Sequence, residues 1–247
     1  MLQLKNLTKS YKNNLALNKI NIDFTTGIYG LLGPNGAGKS TMMNLIAGLI
    51  PVSSGTITWN GININELGSK YRSIIGYVPQ TTGLYNSFNA KQFLLYMCAL
   101  KDVYQKKSEK QILNDHVDNL LEKVNLQDTK VKKIGAFSGG MQRRISIAQA
   151  LLGSPELIIL DEPTAGLDPN ERYRLSNTVA DMCTDKIVIW STHIVSDIES
   201  ISKHIVMLKK GNLIENIYPN ELLENNQKPT LEQLYIYHYG DKSYEYH

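Results

Sequence analysis

Apolar and polar positions alternate through the first part of the chain in short stretches of the kind that strands bury on one face. Leu2 and Leu4 alternate with polar neighbours, as do Ile20, Ile22 and Phe24, and Gly55-Thr56-Ile57-Thr58-Trp59 follows a turn. Ile74-Ile75-Gly76-Tyr77-Val78 reads as a further strand, stopped by Pro79. From about Asn89 to Val124 the period lengthens to that of a helix. Phe93, Met97 and Leu100 are assigned to one apolar face, and Ile112, Val117, Leu120, Leu121 and Val124 to a second helix. Another helix follows Gly139, and a further one runs from about Pro169 to Met182 between the apolar strands 157–160 and 187–190. Lys210-Gly211 separates the apolar stretches 205–208 and 213–215 as the turn of a hairpin. Thr230-Leu231-Glu232-Gln233 has the form of a capping box, which starts a short terminal helix. Strands alternating with helices predict an α/β fold on a mostly parallel sheet. The β-rich N-terminal part forms one subdomain, and the middle helices form an inserted one over about 89–152. Residues 1–228 are expected to make the main domain and 229–247 a short tail.

Between the apolar Ile28-Tyr29-Gly30-Leu31-Leu32 and the helical Met42-Met43-Asn44-Leu45-Ile46-Ala47 lies Gly33-Pro34-Asn35-Gly36-Ala37-Gly38-Lys39-Ser40-Thr41. A G-x-x-x-x-G-K-S pattern in strand–loop–helix context is a phosphate-binding loop, so a nucleoside triphosphate is the expected ligand. The glycines let successive N–H groups turn inward as an anion nest, and the helix N-terminus adds its positive dipole end. Lys39 is expected to reach the β- and γ-phosphates, and the Ser40 hydroxyl to ligate Mg²⁺.

Composition narrows the remaining classes. A net charge of +3 over 247 residues, carried by scattered lysines, gives no reason to expect nucleic acid as a partner. The two cysteines, Cys98 and Cys183, lie in apolar segments without metal-ligand spacing and read as buried reduced thiols, which suits the cytosol. Met1-Leu2-Gln3-Leu4-Lys5 opens no continuous apolar stretch, so no signal peptide is expected. Apolar runs reach only about five residues, far from the roughly 18 of a membrane span. Work at a membrane would therefore need another subunit to cross it. His116, His204, His238 and His247 are given no partners by the sequence and read as surface or structural residues.

Two further constellations carry chemistry. Leu157-Ile158-Ile159-Leu160-Asp161-Glu162 places adjacent carboxylates at the exit of an apolar strand, where parallel sheets hold their ligands. Beside a phosphate loop, Asp161 would orient Mg²⁺ through its water shell and Glu162 would polarise the attacking water. Ser138-Gly139-Gly140-Met141-Gln142-Arg143-Arg144 opens a helix with a serine N-cap and glycine N–H groups left exposed, a second anion site in a chain with one phosphate loop.

Taken in order, these residues resemble the ATP-binding subunit of ABC transporters, over nearly the whole chain. The resemblance rests on the loop at 33–41, Gln80 after a strand, Ser138-Gly139-Gly140, Asp161-Glu162, Ala165-Gly166-Leu167-Asp168, and His193 at the next strand end. It implies that Tyr11 stacks on adenine and that Gln80 contacts Mg²⁺ and the attacking water while relaying to a membrane subunit. It also implies that His193 holds the γ-phosphate and that Asp168 lies at a dimer interface. In such proteins two copies, identical or not, face head-to-tail, so Ser138, Gly139 and Gly140 would serve the nucleotide held by the partner's Lys39. The resemblance thus implies an ATP hydrolase with Mg²⁺ as cofactor, working beneath a transmembrane permease on the cytoplasmic face of the membrane. The common signature of the family is Leu-Ser-Gly-Gly-Gln, whereas this chain reads Phe137-Ser138-Gly139-Gly140-Met141. The terminal methionine is similar to the branch that exports drugs, antibiotics and antimicrobial peptides.

Alternatives are a non-transport relative and a nucleotide-dependent signalling module. A translation factor of the family carries two phosphate loops, and a second is absent here. A chromosome-maintenance ATPase needs a long coiled coil between Gln80 and the signature, where this chain has only residues 81–137. Glu162 and His193 argue against a module without turnover.

Overall fold

The computed structural model describes residues 1–12, 14–81, 83–101, 110–129, 131–219 and 229–240. Two sheets organise them. The first is four-stranded and antiparallel, in the order β2-β1-β4-β5, from β1 (Leu2–Tyr11), β2 (Asn14–Phe24), β4 (Ser54–Trp59) and β5 (Ile62–Asn63). The second has six strands in the order β10-β9-β3-β8-β7-β6, namely β3 (Gly27–Leu32), β6 (Ile75–Val78), β7 (Leu157–Asp161), β8 (Ile187–Thr192), β9 (His204–Lys209) and β10 (Asn212–Ile217). All its pairings are parallel except the β9–β10 hairpin. The hairpin turns at Lys210 and Gly211, with φ of 48° and 78°, the double left-handed geometry that matches strand twist.

Alternation along the central strands divides the core in two. Tyr29, Leu31, Leu157, Ile159, Ile187 and Ile189 face α1 (Lys39–Ile46) and the antiparallel sheet. Ile28, Leu32, Ile158, Leu160, Val188 and Trp190 face the longer helices. Because successive strand side chains point to opposite faces, a strand buried on both sides reads as a continuous apolar run. Two short helices, α2 (Ile64–Leu67) and α3 (Ser69–Ser73), lead into β6, after which come α4 (Ala90–Leu100), α5 (Lys110–Lys123) and α6 (Gly139–Ala150) before the chain returns in β7. Helix α7 (Pro169–Met182) crosses from β7 to β8.

Asn89 caps α4 in a full capping box with Gln92. The buried stripe of α4 is Ala90, Phe93, Leu94 and Cys98, with Met97 at its edge. Leu100 lies off that stripe and is 60% exposed, while the next residue, Lys101, turns its ammonium onto the Leu152 carbonyl at 3.3 Å. In α5 the stripe is Leu113, Val117, Leu120, Leu121 and Val124, so Ile112 is one position out of phase and 54% exposed. Both residues were expected on the buried faces, and helical phase overrides their hydrophobicity. Cys98 and Cys183 are buried free thiols, as the sequence predicts.

The capping box at Thr230 and Gln233 starts α8 (Leu231–Tyr239), whose Leu231 is inserted into the helix-side core. His204 stacks on Tyr29 at 4.7 Å and His238 lies 2.9 Å from Glu215, so both have partners that the sequence did not name. His247 and the rest of the tail beyond Gly240 lie outside the described residues. No helix among the described residues is long and apolar enough to cross a membrane.

Candidate active site

Strand β3 ends at Leu32, and the loop from Gly33 leads directly into α1 at Lys39. Gly38 takes φ of 110°, and a Cβ there would sit 2.8 Å from both the Ala16 carbonyl and a Leu17 methyl. Only glycine allows the loop to press this closely on β2 while turning into the helix. Gly36, at φ of 80°, has nothing within 4 Å of a built Cβ and faces open space. The cleft above this loop holds about 700 Å³ and is lined by Asn35, Gly36, Gly38, Lys39, Ser40 and Thr41 at its base. Tyr11, Asn14, Leu15 and Ala16 form one wall, Lys210 and Gly211 close it beside them, and Gln80 and Glu162 stand across. Among the other residues of the loop, Gly33 and Pro34 turn their carbonyls toward Lys39, and Ala37 is buried with its carbonyl accepting the Gly211 N–H at 2.9 Å.

Glu162 is the centre of the polar arrangement. It follows β7 immediately, is 8% exposed, and has φ of 46°, a conformation that costs a non-glycine residue on the order of 1 kcal/mol. Its backbone N–H donates to Ser191 Oγ at 2.9 Å, and the Ser191 hydroxyl donates to Asp161 Oδ1 at 2.6 Å. Parallel register puts Asp161 opposite Ser191, so one β8 side chain fixes both the Asp161 carboxylate and the Glu162 backbone. Gln80 Nε2 donates to Glu162 Oε2 at 3.2 Å, His193 Nδ1 stands 3.3 Å from Oε1, and Lys39 Nζ stands 3.7 Å from the same oxygen. Three separate strand ends, those of β6, β7 and β8, and the start of α1 thus converge on one carboxylate.

Lys39 is 5% exposed and donates to the carbonyls of Gly33 at 2.6 Å and Pro34 at 3.2 Å. Burial pulls its pKa below 10.5, and the neighbouring carboxylates of Glu162 and Asp161 oppose that shift. Arg143 of α6 reaches over the strand end and donates to the Pro79 and Gln80 carbonyls, each at 3.2 Å, fixing the backbone of Gln80.

Tyr11 is 46% exposed on its cleft wall, with the Lys9 ammonium 4.9 Å from its ring centre. Lys9 itself donates to the Pro51 carbonyl at 2.7 Å, so the ring has a fixed backing.

Ser138, Gly139 and Gly140 are not brought to this cleft. Ser138 caps α6, its Oγ accepting the Met141 N–H at 3.3 Å, and Ser138 and Gly139 are exposed. Gly140 is buried under Glu171 of α7, whose carboxylate oxygen would lie only 1.6 Å from a Cβ at that position. Asp168 is exposed at the N-cap of α7, with Oδ1 accepting the Glu171 N–H at 2.9 Å. Ser138, Gly139 and Asp168 thus form an outward-facing group at two helix starts, separate from the lining of the chain's own cleft.

Among the described residues no group of three or more His, Cys, Asp or Glu side chains could hold a metal ion alone. Ser40, Gln80 and Asp161 offer hard oxygen donors, and a set with a single carboxylate fits Mg²⁺, which is held by one or two carboxylates and completes its shell with phosphate and water oxygens.

Sequence reasoning missed Ser191, Arg143, Lys210 and the Asn14–Ala16 wall. Their roles arise from strand register and helix packing, and only the hairpin turn at Lys210-Gly211 left a readable signal. Fold and site together define a phosphate-loop nucleoside-triphosphatase. The family model described as ABC transporter matches residues 17–165, and the chain belongs to that family. It is 37% identical over 216 residues to the linearmycin resistance ATP-binding protein LnrL of Bacillus subtilis, covering 87% of this chain and 68% of that one. It is also 37% identical over 232 residues to the bacitracin transport ATP-binding protein BcrA of Bacillus licheniformis, covering 92% of this chain and 73% of that one. The dimeric ATP-binding cassette MJ0796, in a post-hydrolysis state bound to ADP and Pi, superposes with a TM-score of 0.79 at 27% identity, over 89% of this chain and 99% of the other. The chain is therefore an ABC-type ATP-binding cassette and an ATPase, as the resemblance in its sequence implies.

Proposed function

We propose that this cassette powers export through a separate transmembrane permease, working as a head-to-tail pair whose two ATP sites each draw on both copies. The observation that carries the catalytic part is the convergence of Gln80, His193 and Lys39 on Glu162. Lys39 exchanges its loop carbonyls for β- and γ-phosphate oxygens, whose charge-assisted hydrogen bonds are the stronger ones. Glu162 accepts the proton of the attacking water, Gln80 orients that water, and His193 holds the γ-phosphate. Ser40, Asp161 and Gln80 would hold Mg²⁺, which supplies charge neutralisation on the phosphate oxygens. Tyr11 stacks on the adenine, backed by Lys9.

The outward helix starts at Ser138-Gly139-Gly140 and Asp168 support the pairing: Ser138 and Gly139 leave an anion-seeking helix N-terminus in solvent, away from the chain's own cleft. Export is supported by relatives named for linearmycin resistance and bacitracin transport, and by Met141 in the signature. The permease is supported by a cluster of aromatic rings on the helical side. Tyr85, Phe88 and Tyr96 lie with centroids 5.5–5.6 Å apart, and Tyr85 and Tyr96 are 47% and 39% exposed. Phe93, 6.2 Å behind Tyr85, is core at 1% exposure. An exposed aromatic surface of this kind suits the apolar face of an amphipathic helix, which would hold the cassette on the cytoplasmic face of the membrane.

The direct test is Glu162→Gln. It should bind ATP with wild-type affinity and lose roughly 10²- to 10⁴-fold in turnover, because an amide cannot take the proton. Steady-state phosphate release alongside ATP titration measures this. Turnover within tenfold of wild type would assign the base elsewhere.

A further inference from the structure

Helix α8 packs against the strand ends from which the phosphate loop leaves the sheet. Leu231 anchors its first turn at 2% exposure. Three contacts tie its last turn to the β9–β10 hairpin. The Lys209 ammonium donates to the His238 carbonyl, His238 Nε2 stands 2.9 Å from Glu215 Oε1, and the Tyr239 hydroxyl donates to the Leu208 carbonyl at 2.9 Å. The same hydroxyl lies 3.4 Å from the Leu32 carbonyl.

Those two carbonyls border Gly33, the first residue of the loop. The Leu208 oxygen lies 2.6 Å, and the Tyr239 oxygen 3.5 Å, from the point where a Gly33 side chain would begin. The Gly33 carbonyl in turn receives Lys39 Nζ at 2.6 Å. Burial raises the Tyr239 phenol above its ordinary range, with Tyr235 and Glu215 adding to the shift, so the group stays protonated and remains a donor.

We infer that Tyr239 is a positioning residue for ATP: its hydroxyl ties the exit of β3 to the end of β9 and thereby holds the phosphate loop in its binding geometry. The family model ends at residue 165 and takes in neither the hairpin nor α8. A loop fixed before the nucleotide arrives loses less freedom on binding, so the contribution falls on affinity. None of the contacts of Gln80, Glu162 and His193 described above involves α8, and the chemical step is left alone. The inference rests on the reading that residues 33–41 hold the triphosphate.

The full chain is compared with Tyr239→Phe, which keeps the ring, and with Thr230→Ala, which weakens the start of the same helix. ATP Kd is measured with a fluorescent ATP analogue, KM and kcat from phosphate release, and Tm by thermal melting. Tyr239→Phe should raise Kd and KM about fivefold, the worth of one hydrogen bond, with kcat within twofold of wild type. Thr230→Ala should lower Tm through loss of its cap and leave Kd unchanged. Unchanged Kd and KM in Tyr239→Phe, or an equal rise of Kd in both variants, overturns the inference, the latter by making α8 a structural support only. Lys39→Ala with wild-type affinity would instead place ATP away from residues 33–41 and remove the reading beneath it.

Discussion

At the scale of single residues, Lys39 shows how the site couples protonation to ligand binding. Burial lowers its pKa from 10.5, and bound phosphates would restore the ammonium by adding negative charge beside it. In the window between the lowered value and 10.5 the unfolded chain holds more protons than the folded one. Folding stability therefore rises with pH across that window, while ATP affinity falls as Lys39 loses its proton. Titrating a fluorescent ATP analogue from neutral pH to about 10.5 should show Kd rising through the window; a flat Kd would mean that Lys39 keeps its charge or contributes little. The members of this site that were legible in the sequence are those fixed by short spacing: Lys39 in its loop, the adjacent Asp161 and Glu162 at a strand exit, His193 after the next strand. Ser191 and Arg143 were not legible. Ser191 matters because parallel register places it opposite Asp161, and Arg143 because α6 packs within reach of the Gln80 carbonyl. Neither relation leaves a local pattern.

At the scale of elements, α6 has an N-terminus facing solvent and, one turn further on, a side chain gripping the Gln80 loop. The Glu171 carboxylate lies over Gly140 and would have to swing away to admit a Cβ, so this glycine serves the α6–α7 contact as well as any anion held at the helix start. Ser138→Arg adds a bulky side chain at the exposed cap without touching the chain's own cleft. It should keep ATP binding by the single chain within about twofold while abolishing nucleotide-dependent pairing and most hydrolysis, since on the proposed pairing the helix start meets the partner's nucleotide. Loss of the first ATP-binding step would place Ser138 in its own chain's pocket. The elements themselves were largely readable because five strands of the second sheet, all but β10, are buried on both faces and read as short apolar runs. Leu100 and Ile112 misled because counting apolar residues does not fix helical phase. Cys98, four positions after Leu94 in α4, and Leu113, four before Val117 in α5, take the inward places instead.

At the scale of the whole molecule, the proposed pairing makes the cleft and the outward helix starts two halves of one site, each half supplied by a different copy. The aromatic cluster beyond them is a third surface. Tyr85→Ala combined with Phe88→Ala should leave ATPase activity of the isolated chain within about twofold but weaken co-purification with a co-expressed permease from detergent-solubilised membranes, because the proposed docking surface loses two of its rings. Full recovery of the permease by the folded double variant would move the docking surface elsewhere. The central claim is that ATP is held between two head-to-tail copies and cut by Glu162, and the most direct measurement is the mass in solution of Glu162→Gln with and without ATP. The variant binds the nucleotide and cannot discharge it, so it should run as a monomer alone and as a stable dimer with ATP, returning to monomer when Ser138→Arg is added. A monomer under both conditions would contradict the claim.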